Sequence, residues 1–263
     1  MVINSYAFLD SKLTKRQRLE LFVQDRAKYI LCETDPAWEP HFSHDSTVFV
    51  NGVLRGCGKV CRRAIEKNAK WFYMDNGYGR HWQRITFKST APSRLLDRPN
   101  DRTPAELKNL QPWRGNRRKS KENILILPPS LPYIETFQED QWLNNIIHSL
   151  KEYTDRNLVV RPKPAENRDG PCWKKQLSNA YCLVSFGSNL GIDAMVQGIP
   201  VISFKYCSSY FASFTLEDLE TERLNQEPDR QKIINNCMYH SFSKDEFESG
   251  YAWDISMENA YEV

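Results

Sequence analysis

Residues 179–202 read Asn179-Ala180-Tyr181-Cys182-Leu183-Val184-Ser185-Phe186-Gly187-Ser188-Asn189-Leu190-Gly191-Ile192-Asp193-Ala194-Met195-Val196-Gln197-Gly198-Ile199-Pro200-Val201-Ile202. The first apolar run has the length and composition of a buried strand. Small residues follow, then a short helical pattern carrying Leu190, Ile192, Ala194, Met195 and Val196. Gly198 suits the left-handed residue that ends a helix, and Pro200 forbids its continuation. A second apolar run begins at once. This is a strand–turn–helix–strand unit, which needs a parallel sheet.

Working outward, similar runs occur at Thr47–Val50, Ile124–Leu127, Leu158–Arg161 and Pro200–Phe204, with weaker ones at Tyr29–Cys32 and Trp71–Met74. They are continuous rather than alternating, as expected of strands covered on both faces. Helical spacing appears at Lys12–Lys28, Gln138–Tyr153, Ser188–Gln197, Asp229–Tyr239 and Lys244–Glu248. Strand and helix alternate, which specifies an α/β fold with right-handed crossovers. Between 98 and 122 the chain is rich in Pro, Asn and charge, which reads as a linker or surface loop.

The 263 residues fit one large α/β domain or two smaller lobes, and suffice for a real core in either case. No apolar run approaches the ~20 residues of a membrane span, and the N-terminus lacks the layout of a secretory signal. The seven cysteines are scattered without zinc spacing, so they read as reduced thiols of a cytoplasmic protein. The net charge of +3 hides an asymmetry: residues 1–131 carry 24 Lys and Arg against 13 Asp and Glu, and residues 132–263 carry 12 against 20. Two lobes with different partners would produce such a split; so would ordinary solvated surface.

The turn Ser185, Gly187, Ser188, Asn189 lies where a helix begins. Backbone amides and the helix dipole favour an anion there, and small side chains let a phosphate approach. A plain strand–helix unit capped by Ser188 or Asn189 fits the same residues. Arg161-Pro162-Lys163-Pro164 ends the preceding strand. Ligands of open parallel sheets collect beyond the carboxyl ends of strands, so Arg161 and Lys163 are expected beside that turn, as two cations for a diphosphate. A solvated turn is the alternative.

These pieces, in order, resemble the sugar-nucleotide glycosyltransferases of the GT-B architecture, closest to small phage-encoded and capsule-polysaccharide-type members. The likeness is carried by Ile124–Ser130, Tyr153–Arg156, Val160–Pro164, Ser185–Asn189 with its helix and Gly198–Val201, Leu216–Glu220, Asp229-Arg230 and Gly250–Trp253. In the first half it rests on Trp71–Tyr78 and Arg84–Thr86. It spans roughly residues 45–253. The resemblance implies two Rossmann-like lobes with parallel sheets and helices on both faces. A short N-terminal lobe, 1–110, would bind the acceptor. A C-terminal lobe, 111–263, would bind the nucleotide-sugar, a UDP-sugar by preference, with the site in the cleft between them. Arg161, Lys163, Ser188 and Asn189 would then contact the diphosphate, and Glu217 or Glu220 would grip the ribose.

The chain has no Asp-x-Asp triplet, the usual carboxylate pair for a divalent metal. No metal and no cofactor are therefore expected, and protein cations with a helix dipole must stabilise the departing diphosphate. The acceptor hydroxyl needs a base. Asp75, after an aromatic strand, and His81 are the candidates; Asp75 also suits a turn residue and His81 a surface position. Basic residues interleaved with aromatics, Arg80, Trp82, Arg84, Trp113, Arg117 and Arg118, suit a polyanion with accessible bases. The expected acceptor is accordingly a hydroxymethylated pyrimidine in phage DNA. A surface polysaccharide or lipopolysaccharide is the alternative acceptor, and a non-catalytic nucleic-acid binder on a decayed transferase fold the alternative class. Gly52–Lys59 fails as a P-loop, because Val60 stands where Ser or Thr is required.

Overall fold

The structure, a computed structural model, describes residues 5–8, 21–23, 43–54, 57–78, 83–115, 122–162, 173–204 and 206–261. In chain order its elements begin with β1 (Ser5–Phe8), β2 (Thr47–Asn51), α1 (Cys57–Glu66), β3 (Lys70–Asn76), β4 (Gln83–Phe87) and α2 (Ala105–Lys108). Then come β5 (Asn123–Leu127), α3 (Leu131–Phe137), α4 (Trp142–Tyr153), β6 (Leu158–Val160), α5 (Trp173–Ser178), β7 (Ala180–Ser185), α6 (Leu190–Val196) and β8 (Val201–Ser203). The last are α7 (Arg230–Met238), β9 (Ser241–Phe242), α8 (Lys244–Glu248) and α9 (Tyr251–Tyr261). The protein is α/β, with parallel pairing in both of its sheets.

The chain forms two units, the first from residues 1–94, 132–138 and 237–263 and the second from 95–131 and 139–236. The division therefore differs from the expected one at 110/111. The Pro-rich segment is no linker, because its polar side chains are used inside the second unit. Thr103 Oγ1 donates to Asn235 Oδ1 at 2.8 Å, and Trp113 Nε1 donates to the Leu224 carbonyl at 2.8 Å.

In the first unit the sheet order is β1-β2-β3-β4-β9. β1, β2 and β3 are parallel, whereas β4 runs antiparallel to β3 and to β9. This sheet is mixed, not parallel as expected, because β4 pairs antiparallel with its neighbour in sequence, β3, and β9 pairs antiparallel with β4. Alternate residues of β2 and β3 serve two cores. Val48, Val50, Trp71 and Tyr73 pack with Cys57, Val60, Cys61 and Ala64 of α1. Phe49, Phe72 and Met74 pack with Phe22, Phe242, Phe247, Ala252 and Ala260. Both faces are thus covered, which explains the continuous apolar runs. Of the expected helix Lys12–Lys28 only 21–23 are described, and they are helical; Tyr29–Cys32 lies outside the described residues.

In the second unit the sheet is fully parallel, in the order β6-β5-β7-β8. The first strand of this unit, β5, has β6 on one side and β7 on the other. Successive crossovers therefore leave in opposite directions, the arrangement in which open parallel sheets take ligands beyond the carboxyl ends of their strands, here β5 and β7. Register places Leu127 beside Ser185 at that edge. Among the described residues no helix is long and apolar enough to cross a membrane, and Cys57, Cys61, Cys182, Cys207 and Cys237 are buried free thiols.

Candidate functional site

At the carboxyl edge of the second sheet, Ser185 is fully buried and its Oγ accepts the Ser188 amide at 3.1 Å. Ser188 Oγ in turn accepts the Leu190 amide at 3.2 Å. The amides of Gly191 and Ile192 go to the carbonyls of Ser188 and Asn189 at 3.2 and 3.0 Å. Ser185 therefore builds the turn and does not face a donor, contrary to expectation. Gly187, Ser188 and Asn189 are half-buried, and the Gly187 amide has no partner among the described residues. Behind the turn, a Cβ on Gly191 would stand 2.2 Å from Ser209 Oγ, so only glycine lets α6 seat there.

Arg161 follows β6, and its amide donates to the Ile126 carbonyl at 2.9 Å. Strand β5 separates β6 from β7, so Arg161 stands about 10 Å across the sheet from the turn at ordinary strand spacing. Its guanidinium donates to Gln176 Oε1 of α5. From the same helix, Lys174 acts on Asp193 of α6. Burial pushes the Asp193 carboxyl up, and its own backbone amide and the Lys174 ammonium draw it part of the way back. Asp193 is the carboxylate that the sequence analysis missed. Its signal was weak, a single acid inside an apolar helix where a solvent-facing position reads equally well.

Glu217 and Glu220 lie at the other end of the sheet. The Arg156 guanidinium stacks 3.5 Å from the ring centroid of Tyr181, the second residue of β7. Glu220 takes Arg156 Nε at 2.5 Å and Nη2 at 3.2 Å, and accepts from Thr154 Oγ1 at 2.8 Å. Glu217 accepts from the Tyr153 hydroxyl at 3.2 Å; hydrogen bonds from its own amide, Thr215 and Tyr153 hold its carboxyl below the usual range. From Tyr181 to Ser185 the strand rises about 13 Å. The two glutamates are thus not brought to the Ser185–Asn189 turn, which corrects their expected role on the ribose.

Trp113 is also at the amino edge. It is half-buried, stacks on Phe214 at 6.0 Å, lies under Arg230 and spends its N–H on Leu224. It is therefore not displayed to an acceptor. Arg84 of β4 is similar: its side chain is 4% exposed, Nη1 donates to the Asn76 carbonyl at 2.9 Å, and Nη2 faces Asp75 Oδ2 at 3.4 Å. Both residues were expected to bind acceptor, and both are consumed inside their own unit. Lys163, Arg80, His81, Trp82, Arg117 and Arg118 lie outside the described residues.

Asp75 stands near the end of β3 with its carboxylate 37% exposed. Oδ1 accepts the Asn76 amide at 2.8 Å and Oδ2 accepts the Tyr73 hydroxyl at 3.0 Å. Tyr73 is buried, and Tyr133 of α3 is half-buried with its hydroxyl donating to Thr90 Oγ1. Burial pushes both phenols up, so each keeps its proton and can only donate to such a carboxylate.

No protein-family model and no curated protein sequence matches the chain. Among solved structures it is similar to Thermosulfurimonas dismutans KpsC, beta Kdo 2,4 transferase, with 14% identity and a TM-score of 0.45 over 90% of each chain. It is also similar to Thermosulfurimonas dismutans KpsC, beta Kdo 2,7 transferase, with 15% identity and a TM-score of 0.49 over 89% of each chain. Likenesses of that depth decide no activity; the site rests on the sheet order and on the side chains at its two edges.

Proposed function

We propose that the chain is a glycosyltransferase that moves a sugar from a nucleotide-sugar donor to a hydroxyl of a glycan. The observation that carries this reading is the strand order of the second sheet. There the order of strands reverses between β6-β5 and β5-β7-β8, and a half-buried turn whose Gly187 amide has no partner among the described residues leaves β7. A reversal of strand order in an open parallel sheet is where such folds take nucleotides. The resemblance over residues 45–253 points the same way. Gly187, Ser188 and Asn189 offer the diphosphate small side chains and backbone donors. Arg161 supplies the cation by exchanging Gln176 for a phosphate oxygen, and Asp193 takes over from Glu217 and Glu220 as the carboxylate of this edge.

In this reading protein donors, without a metal, stabilise the charge that develops on the leaving diphosphate, and Asp75 is the base for the acceptor hydroxyl. A glycan is preferred to DNA as the acceptor because Trp113 and Arg84, two of the six residues expected to meet a nucleic acid, are locked within their own units. Calorimetry with UDP is the first test. Binding is expected, and Arg161→Ala should weaken it about tenfold, or ~1.4 kcal/mol. No heat at millimolar UDP or its sugars would remove the donor site. Mass analysis after incubation with a donor panel then separates acceptors. Sugar appearing on a glycan supports the reading, whereas sugar on hydroxymethylated DNA and on no glycan refutes the acceptor.

A further inference from the structure

The carboxylate of Asp75 is held unevenly, and the asymmetry assigns its two oxygens different work. Oδ2 takes two donors, the Tyr73 hydroxyl at 3.0 Å and Arg84 Nη2 at 3.4 Å. Oδ1 takes one, the Asn76 amide at 2.8 Å. A carboxylate oxygen has room for about two strong donors. Oδ2 is therefore full, and among the described residues Oδ1 has a lone pair left on a side chain that is 37% exposed.

The groups that hold Oδ2 are themselves fixed. Tyr73 is 1% exposed and packs with α1 in a closed apolar cluster. Arg84 is clamped by the rings of Tyr78 at 5.2 Å and Tyr73 at 5.8 Å, and by the Asn76 carbonyl at 2.9 Å. The titratable groups facing this cluster from the elements around it are Tyr73 on β3, Arg84 on β4, Tyr78 after β3, Tyr133 on α3 and Cys61 on α1. Burial holds the Tyr73, Tyr133 and Cys61 protons in place, and Arg84 stays charged although burial opposes it, with the Tyr78 and Tyr73 rings and the Asp75 carboxylate around it. The frame carries one fixed positive charge and delivers it to one side of the carboxylate. A buried arginine aimed at a half-exposed aspartate adds little to stability, because desolvation of the guanidinium offsets the attraction. A frame of this kind is what a rigidly aimed carboxylate needs.

We propose that Arg84 and Tyr73 are positioning residues for Asp75, saturating Oδ2 so that Oδ1 is the atom that receives the proton of the acceptor hydroxyl. The inference rests on the transferase reading. As the hydroxyl oxygen bonds the anomeric carbon, the bond from that carbon to the donor phosphate oxygen breaks. The electron pair leaves on the phosphate, and the hydroxyl proton passes to Oδ1. Arg84 and Tyr73 do not touch the reacting atoms.

The test is steady-state transfer by the full chain with the donor and acceptor that the wild type uses. Tyr73→Phe removes one hydroxyl from a buried ring and is the mild variant. It should lower kcat about tenfold, with acceptor KM and the Kd for UDP within twofold of wild type. Arg84→Lys keeps the charge and should recover at least a third of the turnover that Arg84→Gln loses. The unfolding midpoint of each variant, measured alongside, separates a misaimed carboxylate from a loosened fold. A Tyr73→Phe kcat within twofold of wild type overturns the inference and leaves the transferase reading standing. So does a loss confined to KM. An inactive wild type that binds no nucleotide overturns both.

Discussion

The two edges of the β6-β5-β7-β8 sheet are built from the same strands and finished in opposite ways. At the amino edge, arginines are spent on the protein itself. Arg230 donates to the carbonyls of Met195 and Gln111 at 2.6 and 3.0 Å, Arg114 reaches Glu122 and the Ser178 carbonyl at 2.7 and 2.8 Å, and Arg156 is held by Glu220 over Tyr181. At the carboxyl edge the turn is small and half-buried, shaped by Ser185 and Ser188 with the Cys207 thiol against them. Arginines committed at one end leave small residues at the other, and a polar edge on a fixed scaffold is where a ligand finds donors already in place.

If the amino edge is scaffold, damage there should appear as lost stability and nothing else. The largest effect is expected at its glycines. A Cβ on Gly115 would stand 1.7 Å from the Leu224 carbonyl oxygen, and one on Gly198 (φ +72°) 2.2 Å from that of Pro112. Both obstacles are backbone and cannot rotate away. Gly198→Ala adds left-handed strain to overpacking and should cost about 4 kcal/mol in urea unfolding. Next comes Arg230→Ala. The side chain is 4% exposed, and its loss takes a charged donor from the Met195 carbonyl at the end of α6 and from the Gln111 carbonyl, at about 3 kcal/mol. In both variants the fraction still folded should bind UDP as wild type does. A donor affinity that falls together with stability would show that the two edges are not independent.

This contrast was only half legible in the sequence. The apolar runs of β5, β7 and β8, the stop at Gly198 and the helix between them were readable, because strands buried on both faces and a helix punctuated by glycine leave strong local signals. β4 was not anticipated. Gln83, Arg84 and Thr86 are polar, yet all are buried, and what buries them is pairing with β3 and β9 and a ring-lined pocket for Arg84, which no local pattern announces. α1 went unread because attention to Gly52–Lys59 as a failed phosphate loop hid a helix whose apolar face is Cys57, Val60, Cys61 and Ala64. The site residues fared by the same rule. Nearness along the chain placed Ser188 and Asn189 correctly at the start of α6. Glu217 and Glu220 were assigned by their order in the chain, and the register of β7 puts them at the wrong end. Cations read as display, Arg84 above all, are often internal when an aromatic ring and a carbonyl lie within reach.

At the carboxyl edge the expected pattern reverses. Gly187 has no positive φ to protect, so Gly187→Ala should change stability by less than about 1 kcal/mol. The added methyl group would lie where a phosphate must approach the amide, and the affinity for UDP should fall about tenfold, or ~1.4 kcal/mol. Calorimetry on the variant, with a urea titration beside it, checks both numbers. Unchanged affinity would move the diphosphate away from this turn.

Asp193 gives the smallest effect and the sharpest distinction. Burial raises its carboxyl above the ordinary 3.8, so the folded chain holds that proton more tightly than the unfolded chain does. The stability this provides is fully present at acid pH and is lost as pH rises through the raised value. At neutral pH the residue is a net liability to the fold. Asp193→Asn should therefore unfold at slightly higher urea than wild type at pH 7, and the gap should shrink as pH is lowered toward 4. A half-buried carboxylate whose charged form is opposed by burial fits a residue kept for what it binds. The same substitution should accordingly weaken the affinity for a UDP-sugar at pH 7 while the fold gains. A gain in stability with unaltered affinity would return Asp193 to the scaffold and leave the carboxyl edge without its carboxylate.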